Sequence, residues 1–205
     1  VTIDPNSGVY TYNVGDGFQG LAEGQTEEVT FVVAASDGQG GTDTETVTVT
    51  VTGTNELPVA SASSESTGEN SLINGQVPAA TDTDGTIASY VLDTDVSSGS
   101  LIFNADGSYS FDPGTDFDDL AQGATRDVTF TYSAVDNNGG VSEPAEITIT
   151  VNGANDAPVA NDDTGLTTVE ETELNLTAND LLCNDTDIDG DPLTITAVDS
   201  PVGGA

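Results

Sequence analysis

The chain has 205 residues, of which 36 are Asp or Glu against one basic residue and no histidine, giving a formal net charge of −35. That balance excludes nucleic-acid binding and attachment to anionic membrane surfaces, both of which need clustered Lys and Arg. A single cysteine excludes an internal disulfide and a Cys-rich metal site, and no apolar run approaches the roughly 20 residues of a membrane helix.

Taken in order, residues 1–57 read as the back half of a β unit. Gly8 to Tyr12 alternates in polarity, Phe18 and Leu21 follow, and Thr30 to Ala34 is an apolar-rich strand. Ser36 to Gly41 is a glycine-rich hairpin turn, and Thr46 to Thr52 alternates valine with threonine as a half-buried strand does. Gly53, Asn55, Glu56 and Pro58 then break the pattern; proline rules out a helix and stiffens an extended linker.

The same order returns in residues 58–157. Asp82-Thr83-Asp84-Gly85 precedes an expected strand at Ile87 to Leu92. Gly107 to Phe111 repeats Gly8 to Tyr12, Phe117 repeats Phe18, Leu120 repeats Leu21, Phe130 repeats Phe31, and Asp136 to Gly140 repeats Asp37 to Gly41, each pair 99 residues apart. Ile147, Ile149 and Val151 close the unit, and the linker recurs as Gly153, Asn155, Asp156 and Pro158. The two linker prolines are 100 residues apart. A repeated junction marks a tandem array. The middle unit should hold seven or so short strands, which points to an all-β chain of Ig-like or cadherin-like sandwiches. The repeating aromatics read as core rather than as a carbohydrate-stacking platform, because they sit in alternating strands.

Residues 158–205 read as the front half of a third unit. Strands are expected at Leu174-Asn175-Leu176 and Leu193 to Val198, with a brief helical turn at Asn179 to Leu182. Cys183, in Leu-Leu-Cys, reads as a small buried apolar side chain. The chain as a whole reads as a segment of something longer. A disordered acidic tail would share its composition, but the alternating strands and spaced aromatics favour a buried core.

Catalysis lacks its parts: there is no His or Lys, and no serine has a visible base. The chain is therefore expected not to be an enzyme. Metal binding is better supplied. Asp187-Ile188-Asp189-Gly190-Asp191 sets three carboxylates at alternate positions around a turn glycine, and Ca²⁺ takes six to eight oxygens from carboxylates, carbonyls and water. Asn155, Asp156, Asp162, Asp163, Glu170 and Glu171 lie in the segments flanking the same junction. The first junction carries Asn55, Glu56, Glu69, Asp82 and Asp84, but Ser61 to Ser64 stand where acids follow the second linker, so weaker calcium binding is expected there.

The run from Gly107-Ser108-Tyr109 through Asp136 to Gly140, with Val47-Thr48-Val49 leading into Asn55-Glu56-Leu57-Pro58-Val59-Ala60, resembles the VCBS-type repeats of very large bacterial surface proteins. Pro158 to Val198 resembles bacterial cadherin-like repeats. The resemblance implies a calcium-rigidified extender in a secreted or cell-surface adhesin of the biofilm-associated type. Its cadherin scheme implies Asn155 and Asp156 as the linker group, Glu170 or Glu171 as the X-E-X glutamate, and Asp187 with Asp189 as the D-x-D pair. The partners implied are neighbouring repeats of the same chain, with surface or matrix glycans or proteins reached through other domains. Two other readings stay open: a glycan- or ligand-binding sandwich module, and an accessory domain of a secreted enzyme.

Overall fold

The computed structural model describes residues 1–4 and 7–199. Residues 200–205, the end of the expected third unit, lie outside them. Eleven strands are seen among the described residues: β1 (Thr2–Ile3), β2 (Tyr10–Thr11), β3 (Thr26–Ser36), β4 (Thr42–Thr52), β5 (Ser63–Gly68), β6 (Ile73–Gln76), β7 (Ile87–Thr94), β8 (Ser100–Phe103), β9 (Ser108–Asp112), β10 (Thr125–Asp136) and β11 (Ala145–Asn152). One short helix, α1 (Ala178–Leu182), follows.

Seven strands build a sandwich between Ser63 and Asn152. One sheet has the order β5-β11-β10-β7 and the other β6-β9-β8. All neighbours are antiparallel except β5, which runs parallel to β11 from Ile147 opposite Ser63 to Asn152 opposite Gly68. The inward residues follow the period of two seen in sequence: Ala145, Ile147, Ile149 and Val151 are buried from β11, and Val128, Phe130 and Tyr132 from β10. Phe130 sits between the sheets, its ring edge-on to Phe103 at 6.0 Å and Tyr109 at 5.1 Å. Phe117 and Leu120, in the β9–β10 loop, close one end of this core.

The first unit forms the matching hairpin β3-β4, with Phe31 opposite Val47. Phe31 gathers Tyr10 and Tyr12 around it, but no counterpart of β5 to β8 covers that face among the described residues. Phe31 is therefore only half-buried, where Phe130 is 1% exposed. Each unit ends on a glycine that passes very close to the preceding loop. A Cβ on Gly53 would lie 2.3 Å from the Leu21 carbonyl oxygen, and one on Gly153 would lie 2.2 Å from that of Leu120. Only glycine permits this approach, which sets the direction in which each linker leaves its sandwich.

In the third unit α1 forms where a helical turn was expected. Thr177 caps it reciprocally with Asp180. The expected strands at Leu174 to Leu176 and Leu193 to Val198 do not form; an isolated bridge between Val159 and Thr186 is the pairing seen there. The reason lies in the middle unit. There β5 pairs with β11 and β7 with β10, so front strands depend on a back hairpin that residues 158–199 do not contain. Cys183, expected to be buried, is exposed. It caps the C-terminus of α1, and no opposing sheet covers it among the described residues.

The two phenylalanines give a direct test. Phe130→Ala should cost about 3–5 kcal/mol in urea unfolding of the middle unit, as large-to-small core changes do. Phe31→Ala should cost less than about half of that, because less apolar surface is lost from burial. Amide signals within each unit, followed by NMR through the denaturant series, report the two values separately.

Candidate metal centres at the two linkers

The first linker is pinned to the middle unit by three contacts. Val59 and Thr81 exchange backbone hydrogen bonds of 2.8 and 3.0 Å. The Glu56 amide donates to Asp84 Oδ1 at 3.2 Å, and the Asn55 side-chain amide donates to Asp136 Oδ2 at 2.9 Å. Asp136 opens the β10–β11 hairpin turn, and its Oδ1 accepts from the amides of Asn138 at 2.7 Å and Gly140 at 2.9 Å. These bonds, with Asn55 foremost, hold the Asp136 carboxyl below the usual aspartate range. Asn138 also reaches the first unit, donating to Glu23 Oε2 at 3.1 Å.

Around this frame lie oxygens with no partner. Glu56 Oε2, both carboxylate oxygens of Asp82 and Asp84 Oδ2 are buried and accept no hydrogen bond. Asp82 Oδ2 and Asn137 Oδ1 crowd the same spot: a Cβ on Gly85 would lie 2.7 and 2.6 Å from them. Asn55, Glu56, Asp82 and Asp84 thus serve one end of the middle unit, joined by Asp136 and Asn137. Ser61 to Ser64 do not empty this end. They lead into β5, and their acidic counterparts at the second linker, Asp162 and Asp163, are themselves exposed.

The second linker repeats the frame. Val159 and Thr186 exchange hydrogen bonds of 2.8 and 3.1 Å, and the Asp156 amide donates to Asp189 Oδ2 at 2.8 Å. Asp187 Oδ1 accepts from the amides of Asp189 at 3.0 Å and Asp191 at 3.3 Å, winding the turn so that oxygens of Asp187, Asp189 and Asp191 lie within 4.8 Å of one another. Asp189 Oδ1 is buried without a partner. A hollow of about 440 Å³ here is lined by Asp156 and Ala157 of the linker, Asp187 and Ile188 of the turn, and Asp118 of the β9–β10 loop.

Glu69 belongs to this second end, not the first. The parallel β5–β11 pairing carries the end of β5 to Asn152, where the Glu69 amide donates to the Asn152 carbonyl at 2.9 Å. Glu69 Oε1 accepts from the Ala154 amide at 2.9 Å, and Oε2 is buried without a partner in a residue 1% exposed. Glu170, 101 residues later, occupies the same local turn one unit on. Thr168 Oγ1 donates to the Thr172 carbonyl at 2.9 Å as Thr67 Oγ1 does to that of Ser71 at 2.7 Å. Glu170 and Glu171 are exposed, and no described hydrogen bond ties them to the second linker. Asn155 is exposed and turns its amide to the Asp156 carbonyl. Among the described residues, Asp162 is reached through its backbone carbonyl, by the Asn184 side-chain amide.

Three residues escaped the sequence reading. Asp136 and Asn137 were legible only as a hairpin turn. Asp118 had a signal, since it stands where the first repeat has Gln19.

The donors at both ends are all oxygens, without thiolate or imidazole, which suits a hard divalent cation. A buried carboxylate oxygen without a partner is costly. A bound cation removes that cost, so the residues fit calcium.

Asp136 also yields a pH prediction. Its depressed pKa means that its contribution is present above the unfolded value of about 4 and is lost as pH falls through the lower, folded value. Asp136→Asn should melt below the parent near pH 6, and the gap should narrow as pH drops below about 4. Calorimetric melting across pH 6 to 2 measures it.

Among known families, residues 55–153 match the model of the bacterial cadherin-like domain, and residues 154–205 match that of the cadherin-like domain. No curated protein matches the chain. Such domains are typically extracellular structural modules of the adhesion type, and no helix among the described residues is long and apolar enough to cross a membrane.

Proposed function

We propose that this pair of cadherin-like domains, residues 55–153 and 154–205, with the repeat that precedes it, is a calcium-stiffened extender of a secreted bacterial adhesin. The observation that carries the reading is the set of buried, partnerless carboxylate oxygens at both linkers: Glu56, Asp82 and Asp84 at the first, Glu69 and Asp189 at the second. A chain with net charge −35 has one basic side chain, Arg126, which bonds Asp119 rather than any of these oxygens, and self-repulsion of this size opposes compaction.

Glu56, Asp82, Asp84 and Asn137 would hold the ion at the first linker. Glu69, Asp118, Asp156, Asp187 and Asp189 would hold it at the second, with Asp191 at the rim. Calcium would supply one thing there: positive charge shared between the linker and the units it joins, so that bending the linker would cost contacts to the ion. Affinities of about 10⁻⁴ to 10⁻³ M fit extracellular modules. Such sites fill where calcium is millimolar and stay empty in a cytoplasm before export. Adhesion to glycans or proteins then falls to other parts of the parent protein, and this segment sets reach and stiffness.

Small-angle X-ray scattering in millimolar calcium and in chelator tests the reading. The maximum dimension should be longer and the profile more rod-like with calcium. Glu69→Gln should weaken the response at the second linker while leaving the first unchanged. A profile indifferent to calcium would overturn the proposal.

A further inference from the structure

The chain's one cation sits beside the second junction. Arg126, near the start of β10, donates through one terminal nitrogen to both carboxylate oxygens of Asp119, at 3.0 and 2.8 Å, and through the other to the Asp116 carbonyl at 3.0 Å. Its guanidinium carbon lies 5.4 Å from the centre of the Phe117 ring. One planar group thus grips residues 116, 117 and 119 of the β9–β10 loop. The residue left ungripped, Asp118, is the one that lines the hollow with Asp156 and Asp187.

We propose that Arg126 is a positioning residue for the second junction, clamping the Asp116–Asp119 loop so that the Asp118 carboxylate is held toward Asp156 and Asp187 across the linker. This rests on the calcium reading above.

Two arguments support the assignment. The first is internal to the chain. In the first repeat, Gln19 stands at the position of Asp118, Gly20 at that of Asp119 and Glu27 at that of Arg126, each 99 residues earlier. The acid, its neighbour and the clamp are present together in one repeat and absent together in the other. The second is energetic. Arg126 and Asp119 are 40% and 58% exposed, and a pair so exposed adds little to folding. A planar fork that bonds a carboxylate and a carbonyl while lying near a ring fixes loop geometry in a way that a lysine point charge cannot. Asp119 offsets the positive charge that would otherwise repel a cation nearby.

The test uses the 205-residue chain and calcium alone, titrated while backbone amides are followed by NMR. The Asp156 amide reports the second junction and the Glu56 amide the first. Arg126→Gln should weaken calcium at the second junction by about tenfold, as loss of an outer-shell partner does. The first junction and the calcium-free melting temperature should stay close to the parent's. Arg126→Lys should fall between. On an Asp118→Asn background, Arg126→Gln should add no further loss, because the clamp acts only through Asp118.

Equal weakening at both junctions, or a full further loss on the Asp118→Asn background, would overturn the proposal. A parent chain that responds to calcium at Asp156, with Arg126→Gln unchanged, removes the clamp alone. A parent chain with no response at Asp156 removes the calcium reading and the clamp with it.

Discussion

The parallel pairing of β5 with β11 governs where this protein keeps its charge. β5 begins beyond the first linker and runs the length of the sandwich beside β11, so its last residue meets the end of β11 at Asn152. Glu69 follows directly and is delivered to Ala154, at the opposite end of the unit from Asn55 and Glu56. The middle unit therefore offers a glutamate, Glu69, to the junction after it and a D-x-D turn, Asp82 to Asp84, to the junction before it. At the second linker the residues come from both the middle unit and the segment that follows it. Asn138 to Glu23 is a direct bond between units, seen at the first junction.

Burying carboxylates in a chain with one guanidinium has a physical consequence. Where the carboxylates meet backbone amides the fold satisfies them itself: Asp37 takes the amides of Gln39 and Gly41, and Asp136 takes those of Asn138 and Gly140. Both carboxyls are held below the usual aspartate range by these bonds, for Asp136 chiefly by Asn55. At Glu56, Asp82, Asp84, Glu69 and Asp189 the amides are spent and oxygens are left over. Among the described residues, acceptors outnumber donors in this way at the two linkers and nowhere else in the core. The proposed calcium would give all of them a partner.

The two junctions share a frame but differ in their walls. Both fasten a linker amide to the second aspartate of the D-x-D turn, and both add a bridge three residues further along the linker, between Val59 and Thr81 or between Val159 and Thr186. The first adds a hairpin tip, Asp136 with Asn137, from behind. The second adds the β9–β10 loop with Asp118 and the buried Glu69. Substitution within a fixed scaffold can therefore set each joint separately.

Much of this was legible in the residues. Local periodicity and the 99-residue register of aromatics, glycines and hairpin turns determined the strands β3, β4, β7, β9, β10 and β11, the tandem order, and Asp82, Asp84, Asp187 and Asp189 as paired acids on turns. These are local properties, settled within a few residues by side-chain alternation and turn chemistry. Which end of a sandwich an acid faces is not local. Glu69 reads as an acid near the first linker, and only a strand pairing across some 85 residues moves it to the second. The same holds for Leu193 to Val198, whose alternation is sound but whose ladder partner is missing from the described residues, and for Cys183, which stays exposed without a facing sheet. Sequence determined what each segment prefers to be; tertiary pairing alone decided what it stands beside, because a strand becomes a strand, and a carboxylate a ligand, only through neighbours that come from distant parts of the chain.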